Sequence, residues 1–306
     1  MAGHMRVVLF FIDGLGLAPA GENNPLSTAS TPALNRLLGG QDLTRETAGF
    51  HGPLATLLPL DATLGVPGYP QSATGQTTLF SGQNAAQAIG RHLNGFPNEE
   101  LRQILSAEGL LGKIIKAGKS ATFLNCYRPE FFAELDRGRL LFSASTMLNF
   151  YAGLPFRTFQ QMLQGEAVYS DITNEWVRTL GHDVPVVSPE QAGECLARVA
   201  RQHDFLLFEH FLTDIFGHKR CREKATVLTG IIDRFIGSAL AHLNLSETLF
   251  IMTSDHGNFE DLLTAGHTSN PVPLLLAGAR PKELPVLNDL TDVAPFVLRV
   301  LSKGTV

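Results

Sequence analysis

Cysteine is scarce in this chain: of 306 residues only Cys126, Cys195 and Cys221 carry a thiol. An odd number at wide spacing excludes a disulfide scaffold and fits a reducing cytoplasm. Charge is sparse too, at 17% of residues with a net of −5, and no basic block stands out. That leaves no electrostatic reason to expect nucleic acid or an anionic membrane as partner. Long hydrophobic runs are missing. The run Val7 to Ile12 is six residues and ends on Asp13, too short for a signal-peptide core or a membrane span. No internal repeat, low-complexity tract or coiled-coil heptad is present. Residues 1–5, Met-Ala-Gly-His-Met, read as an expression-tag remnant, which removes His4 from consideration.

What is present is a 44% hydrophobic chain long enough for one large α/β domain or two ordinary ones. Arg6 to Ile12 has the continuous apolar character of a fully buried parallel strand, ending in Asp13-Gly14. Thr31-Pro32 opens a short helix with Thr as N-cap, closed by Gly39-Gly40. Leu54 to Leu60 reads as a strand or sheet edge. A Gly/Pro-rich turn from Gly65 leads through Ser72 into a helical segment reaching Gly82. Helices follow from Asn98 and through Leu111 to Ile115, then a strand within Lys119 to Asn125. Ser188-Pro189-Glu190-Gln191 is a capping-box start for a helix to about Arg201. Asp204 to Phe208 and Thr248 to Thr253 are buried strands, separated by a long helix ending near Leu243. Pro271 to Ala277 is a further strand, and Asp292 to Leu301 a closing helix. The order is that of a doubly wound sheet. Between residues 130 and 187 the pattern breaks into aromatic and polar patches, expected to be an insertion capping the sheet.

Chemistry concentrates at the strand ends. Asp214 and His218, four apart, share a helical face and can hold one cation. Asp255 and His256 end a strand, and Gly257 supplies a turn that lets both reach one ion. His267, in Gly266-His267-Thr268, precedes the last strand. Singly, each has an everyday explanation: a turn, a surface ion pair, a loop histidine. Together with Asp13 they fall just beyond predicted strands at one end of one sheet, where open α/β sheets collect ligands. Oxygen and imidazole donors without thiolate suit zinc, manganese or iron. Two ions explain the number of donors and give a serine a task, since metal coordination lowers a hydroxyl's pKa. Ser72 is the candidate nucleophile, with Thr74, Thr77 and Ser81 nearby. The backbone after Ser72, including Gly75, and the side chains of Arg91, Asn125 and Arg128 are candidate donors to phosphoryl oxygens.

With these residues in view, the chain resembles the alkaline phosphatase superfamily, most of all its cofactor-independent phosphoglycerate mutase and phosphopentomutase branch. Asp13-Gly14-Leu15-Gly16, Asn24-Pro25 and Thr31 to Leu37 look like that branch's amino-terminal block. Thr253-Ser254-Asp255-His256-Gly257-Asn258 is the most specific motif, joined by Asp214-Ile-Phe-Gly-His218 and Gly266-His267-Thr268. The resemblance implies a three-layer α/β sandwich with a mostly parallel sheet and helices on both faces. Residues 6–129 and 188–306 would form its catalytic core and 130–187 a small cap.

It further implies one ion held by Asp13, Ser72, Asp255 and His256, and another by Asp214, His218 and His267. Ser72 would pass through a phosphoserine. In the mutases the nucleophile lies three residues before a Gly-His pair; here Gln76 follows Gly75 instead. In the diesterase branch it lies six before a Thr-Leu-x-Thr-Gly segment, and Ser72 lies six before Thr78-Leu79-Phe80-Ser81-Gly82. The chain is much shorter than the long phosphoglycerate mutases. The expected activity is therefore hydrolysis of a small phosphorylated metabolite with zinc or manganese. A phosphomutase or phosphodiesterase is the alternative within the superfamily, and a catalytically silent metal- or phosphate-binding protein the alternative outside it. A sulfatase is disfavoured because Ser72 lacks the Cys/Ser-x-Pro-x-Arg setting. Nothing in the sequence speaks to oligomeric state.

Overall fold

Strand β1, Arg6–Ile12, runs through a seven-stranded sheet and organises the molecule around itself. The computed structural model describes residues 5–138 and 141–303; the tag-like residues 1–4 lie outside the described residues. The remaining strands are β2 (Phe50–His51), β3 (Ala55–Leu60), β4 (Ala121–Phe123), β5 (Cys126–Tyr127), β6 (Arg157–Thr158), β7 (Phe205–His210), β8 (Thr248–Thr253) and β9 (Val272–Gly278). The sheet order is β2-β3-β9-β8-β1-β7-β4, and β5 pairs with β6 apart from it. Parallel partners flank β1 on both sides: Leu9 stands opposite Leu207 of β7 and opposite Ile251 of β8.

Both faces of the sheet are covered, which is why β1 is apolar at every position after Arg6. Val8, Phe10 and Ile12 point into one core with helices Pro189–Ala200 and Arg222–His242. Val7, Leu9 and Phe11 point into the other with helices Ser72–Ser81, Leu110–Lys116 and Val293–Lys303. The result is the expected three-layer sandwich. Phe11 meets Phe80 edge-on with ring centroids 5.3 Å apart. That contact docks helix Ser72–Ser81 on the middle of the sheet, with Ser72 at its amino end.

Strand β9 runs antiparallel to both β8 and β3. Its amino end therefore lies at the carboxyl edge of β1, β7 and β8. This reversal, invisible in the sequence, is how a histidine that precedes a strand reaches side chains that follow strands.

Two local expectations need refinement. Thr31 does occupy the N-cap of helix Pro32–Leu37, but its hydroxyl bonds Asn35 rather than the helix amides. Asp233, from the long helix, accepts from Ala33 N (3.1 Å) and Leu34 N (2.8 Å) instead. A carboxylate is the stronger cap, and the position lies 200 residues from Ala33 in sequence, out of reach of a local reading. The turn after His256 does not use a left-handed glycine. Gly257 is needed for space: a Cβ there would collide with Thr268 Oγ1 and Glu260. Gly257 bridges Thr268 across the two loops, and only a bare backbone fits.

The described residues of 130–187 add no strand to the main sheet. They form helices Pro129–Asp136, Ala144–Tyr151, Phe159–Leu163 and Glu175–Thr179; Ala144, Met147 and Leu148 pack in the main core with Leu9 and Phe11, while Met162, Tyr169, Val177 and Val184 form a small separate core. Asp171 caps the last of these by accepting from the amides of Asn174, Trp176 and Val177, and burial lifts its carboxyl to about 6. Among the described residues no helix is long and apolar enough to cross a membrane.

Candidate metal centre

Four loops meet at the carboxyl edge of the sheet. Asp13 follows β1, Asp255 and His256 follow β8, Asp214 and His218 lie on helix Leu212–Lys219 after β7, and His267 precedes β9. Their side chains fall into two clusters, Asp13/Asp255/His256 and Asp214/His218/His267, each with donor atoms within 4.8 Å of one another. In the first, His256 Nε2 lies 3.2 Å from Asp13 Oδ1 and 3.6 Å from Asp255 Oδ2. In the second, Asp214 Oδ1 lies 3.4 Å from His218 Nε2 and 3.5 Å from His267 Nε2. The rings of His256 and His267 stack at the border between the clusters.

Ser72 joins the first cluster, its Oγ 3.0 Å from His256 Nε2. The neighbouring hydroxyls are committed elsewhere. Thr77, Thr78 and Ser81 bond the carbonyls of Ala73, Thr74 and Thr77, one helical turn back, and Thr74 bonds the carbonyl of Gln71. Such back-bonding ties a hydroxyl to its own helix. At the first helical position no preceding turn exists, so Ser72 alone turns to the cluster, at the positive end of the helix dipole. Gly75, one turn on, is where the helix touches Asp255: a Cβ there would stand 2.7 Å from the Asp255 carbonyl.

The electrostatics match the chemistry of a cation site. Burial drives Asp13 well above the usual carboxylate range, and the nearby Asp255 adds to it. Burial raises Asp255 likewise. Burial would lower His256, but Asp255 and Asp13 outweigh it and hold the imidazole up at about 10. His267 goes the other way, to about 4, through burial and then repulsion from His256. Its Nδ1 lies 2.7 Å from the Pro70 carbonyl, which only accepts, so Nδ1 carries the proton and the Nε2 lone pair faces Asp214. Metal-binding histidines are fixed in this way. Apart from the His256 ring at 3.2 and 3.6 Å, Asp13 Oδ1 and Asp255 Oδ2 are buried without a hydrogen-bond donor. An orphaned buried carboxylate oxygen costs at least ~1–3 kcal/mol, and a cation removes that cost. Oxygen and imidazole donors around such oxygens fit a divalent ion at each cluster.

In front of the clusters lies a cavity of about 570 Å³ whose walls include Asp13, Ser72, Gln76, Asp214, Asn125 and Arg128. Arg91 is exposed just beyond helix Ala85–Ala88 and is not part of that wall. Asn125 lines the cavity, but its amide is bound to the backbone of Glu209, accepting from the N–H at 2.9 Å and donating to the carbonyl at 2.8 Å.

Sequence reasoning missed the residues that hold the donors in place. Glu260, fully buried, accepts from Gly16 N, Asn258 N, Thr268 Oγ1 and Asn270 Nδ2, and so clamps the loops after β1, after β8 and before β9. Asn258 donates to Asp214 Oδ1 at 2.6 Å. Gln76 donates to Asp13 Oδ2 at 3.1 Å. Glu209, at the end of β7, is a buried carboxylate pushed up to about 7 by burial. Asn258 and Glu260 were readable as the continuation of the Asp-His-Gly motif; Glu209 lay just beyond a strand read as ending at Phe208, which the structure extends to His210.

Residues 160–303 match the model of a family described as the Metalloenzyme superfamily. The 2,3-bisphosphoglycerate-independent phosphoglycerate mutase of Dinoroseobacter shibae is 30% identical over 125 residues, 38% of this chain and 25% of that one. The enzyme of the same name from Acetivibrio thermocellus is 30% identical over 115 residues, 35% of this chain and 22% of that one. The chain thus spans about a quarter of the length of the curated relatives it matches. Among solved structures, the PH0037 protein of Pyrococcus horikoshii superposes with a TM-score of 0.63 at 16% identity, over 100% of this chain and 99% of that one. The phosphoglycerate mutase of Leishmania mexicana gives 0.51 at 12% identity, over 100% and 96%. At such identities the structures speak to the fold alone. Sequence match, fold and paired donor clusters make this chain similar to the metalloenzyme, or alkaline-phosphatase-like, superfamily. Within it, the sequence similarity runs to the phosphoglycerate mutases.

Proposed function

We propose that this protein is a two-metal phosphoryl-transfer enzyme, a phosphatase that hydrolyses a small phosphorylated metabolite through a phosphoserine. The observation that carries the reading is Ser72 Oγ at 3.0 Å from His256 Nε2, facing a cavity beside both donor clusters. Asp13, Ser72, Asp255 and His256 would hold one ion, and Asp214, His218 and His267 the other. Zinc or manganese suits these donors. Bound there, divalent ions would lower the pKa of a hydroxyl and offset charge on phosphoryl oxygens.

Ser72 Oγ attacks phosphorus in line, the bond from phosphorus to the ester oxygen breaks, and the alcohol leaves with a proton. Water then attacks the phosphoserine and releases phosphate and free Ser72. Gln76 keeps Asp13 oriented through its 3.1 Å hydrogen bond. Arg128, on the cavity wall, is the side chain available to a phosphoryl oxygen. Residues 130–187 act as a cap, since Phe131, Phe142 and Tyr169 wall the same cavity. The three free thiols support a reducing, cytoplasmic setting.

An intramolecular phosphomutase is the second reading, favoured by the identity shared with phosphoglycerate mutases. A panel of phosphorylated metabolites with Mn²⁺ or Zn²⁺ separates the two. Free phosphate is expected. Isomerised ester without free phosphate would move the assignment to the mutase, and two bound ions with no turnover of any ester would make the chain a silent binder.

A further inference from the structure

One wall of the cavity is built from hydroxyls that end on a carboxylate. Tyr127 Oη lies 2.9 Å from Thr146 Oγ1, which lies 2.9 Å from Ser143 Oγ. Ser143 Oγ lies 2.9 Å from Ser145 Oγ, and Ser145 donates to Glu209 Oε2 at 2.7 Å. Because Glu209 Oε2 accepts from Ser145, the whole chain acquires a direction. Ser145 gives its proton to Glu209, so it must accept from Ser143. Ser143 must then accept from Thr146, and Thr146 from Tyr127. Every hydroxyl proton is used inside the chain. With Glu209 ionised, what Tyr127, Thr146 and Glu209 offer the cavity they line is lone pairs, while both lone pairs of Ser143 are taken by Thr146 Oγ1 and Thr146 N. No donor of the described residues reaches Glu209 Oε1.

We propose that this wall selects substrates whose alcohol portion carries free hydroxyl groups, the polyol- and sugar-phosphate class, with Glu209 as the residue that reads them. The inference rests on the phosphoryl-transfer reading for the phosphate end and adds the identity of the other end. An acceptor wall rewards O–H donors and leaves an alkyl chain nothing to bond. It repels a carboxylate, whose oxygens only accept. The mouth supports the same class: Phe96 and Leu141 line it half-exposed or more, and Phe131 and Phe142 stand beside them. Carbon-bound hydrogens of a polyol chain or sugar ring pack on such surfaces while the hydroxyls turn to the polar wall.

The test compares two esters of equal length, glycerol 1-phosphate and propyl phosphate, which differ only in their hydroxyls. Binding of each is measured by calorimetry on Mn²⁺-loaded Ser72→Ala protein, where turnover is blocked. The glycerol ester is expected to bind at least tenfold more tightly. Glu209→Gln in that background should shrink the ratio about tenfold, and Ser145→Ala, which removes only a hydroxyl, should shrink it in part. Should Glu209→Gln fail to fold by circular dichroism, Ser145→Ala carries the test. Equal binding of the two esters, binding of neither, or a ratio that survives both substitutions overturns the proposal. Phosphate release by the unmutated protein is measured in parallel. Hydrolysis of both esters without preference sinks this inference and leaves the phosphatase reading standing. A hydroxyl preference in binding without hydrolysis does the reverse.

Discussion

The imidazole rings of His256 and His267 lie face to face, centroids 3.7 Å apart and planes 14° from parallel. Each belongs to a different donor cluster, so the pair is a shared wall between them. Removing one ring should be felt on both sides. His218→Ala, at the exposed edge, is expected to lose about one metal equivalent per chain and keep the other. His267→Ala should lose one equivalent and also weaken retention of the second, since His256 loses its stacking partner. Elemental analysis after gel filtration reads both; a full complement of metal in either variant would contradict the cluster assignment.

Ser72 is the only hydroxyl of its helix facing the cluster. Ser72→Ala is therefore expected to lower turnover by at least about a thousandfold while leaving metal content near that of the unmutated protein, because two carboxylates and a histidine remain. Ser81→Ala breaks only a bond to the Thr77 carbonyl and should retain turnover. Steady-state rates on an aryl phosphate distinguish them, and a fully active Ser72→Ala would remove the nucleophile from the mechanism.

Metal-free protein should become less stable as pH rises above neutrality. His256 is held at about 10 in the fold against about 6.5 in an unfolded chain. A raised pKa means the folded state binds the proton more tightly. Its stabilisation is complete below about 6.5 and is lost as pH climbs toward 10. Asp13 and Asp255, also raised, act with the same sign. His267 and His210, both lowered to about 4, lose their contribution only as pH falls below about 6.5, outside this window. Thermal midpoints between pH 7 and 9 should fall steadily without metal. A metal ligand must shed that proton, so Mn²⁺ or Zn²⁺ affinity should rise across the same range. A midpoint that rises with pH in metal-free protein would refute the protonated His256.

Glu260 bonds three loops at once. Glu260→Gln keeps the shape but loses the charge, weakening hydrogen bonds to Gly16 and Asn258 amides and to Thr268. A loss of roughly 1–3 kcal/mol in urea unfolding is expected, together with reduced metal retention, although Glu260 touches neither cluster. Unchanged metal binding would show that the loops hold themselves.

Two strand ends were legible in the chain because a chemistry-bearing residue follows an apolar run of the right length: Asp13 after β1, Asp255 after β8. Helix starts at Asn98, Thr158 and Ser188 follow from local capping, and two of these were read correctly. What stayed hidden is what depends on distant partners. Asp233 capping a helix far away in sequence, the reversal of β9, and Glu209 terminating a hydroxyl chain leave no periodic trace. The segment 130–187 was opaque for a related reason: its helices are short and partly exposed, so no amphipathic stripe of useful length forms.

The antiparallel course of β9 also bears on the chain's biosynthesis. Each donor cluster takes at least one member from beyond β7's helix, either Asp255 and His256 or His267. A chain growing from its amino end can thus lay down most of its sheet while owning only fragments of either ion-holding nest. Capture of cations becomes possible only once β8 and the loop before β9 have been made, so a product ended before Asp255 would be deaf to metal however well its earlier strands had assembled.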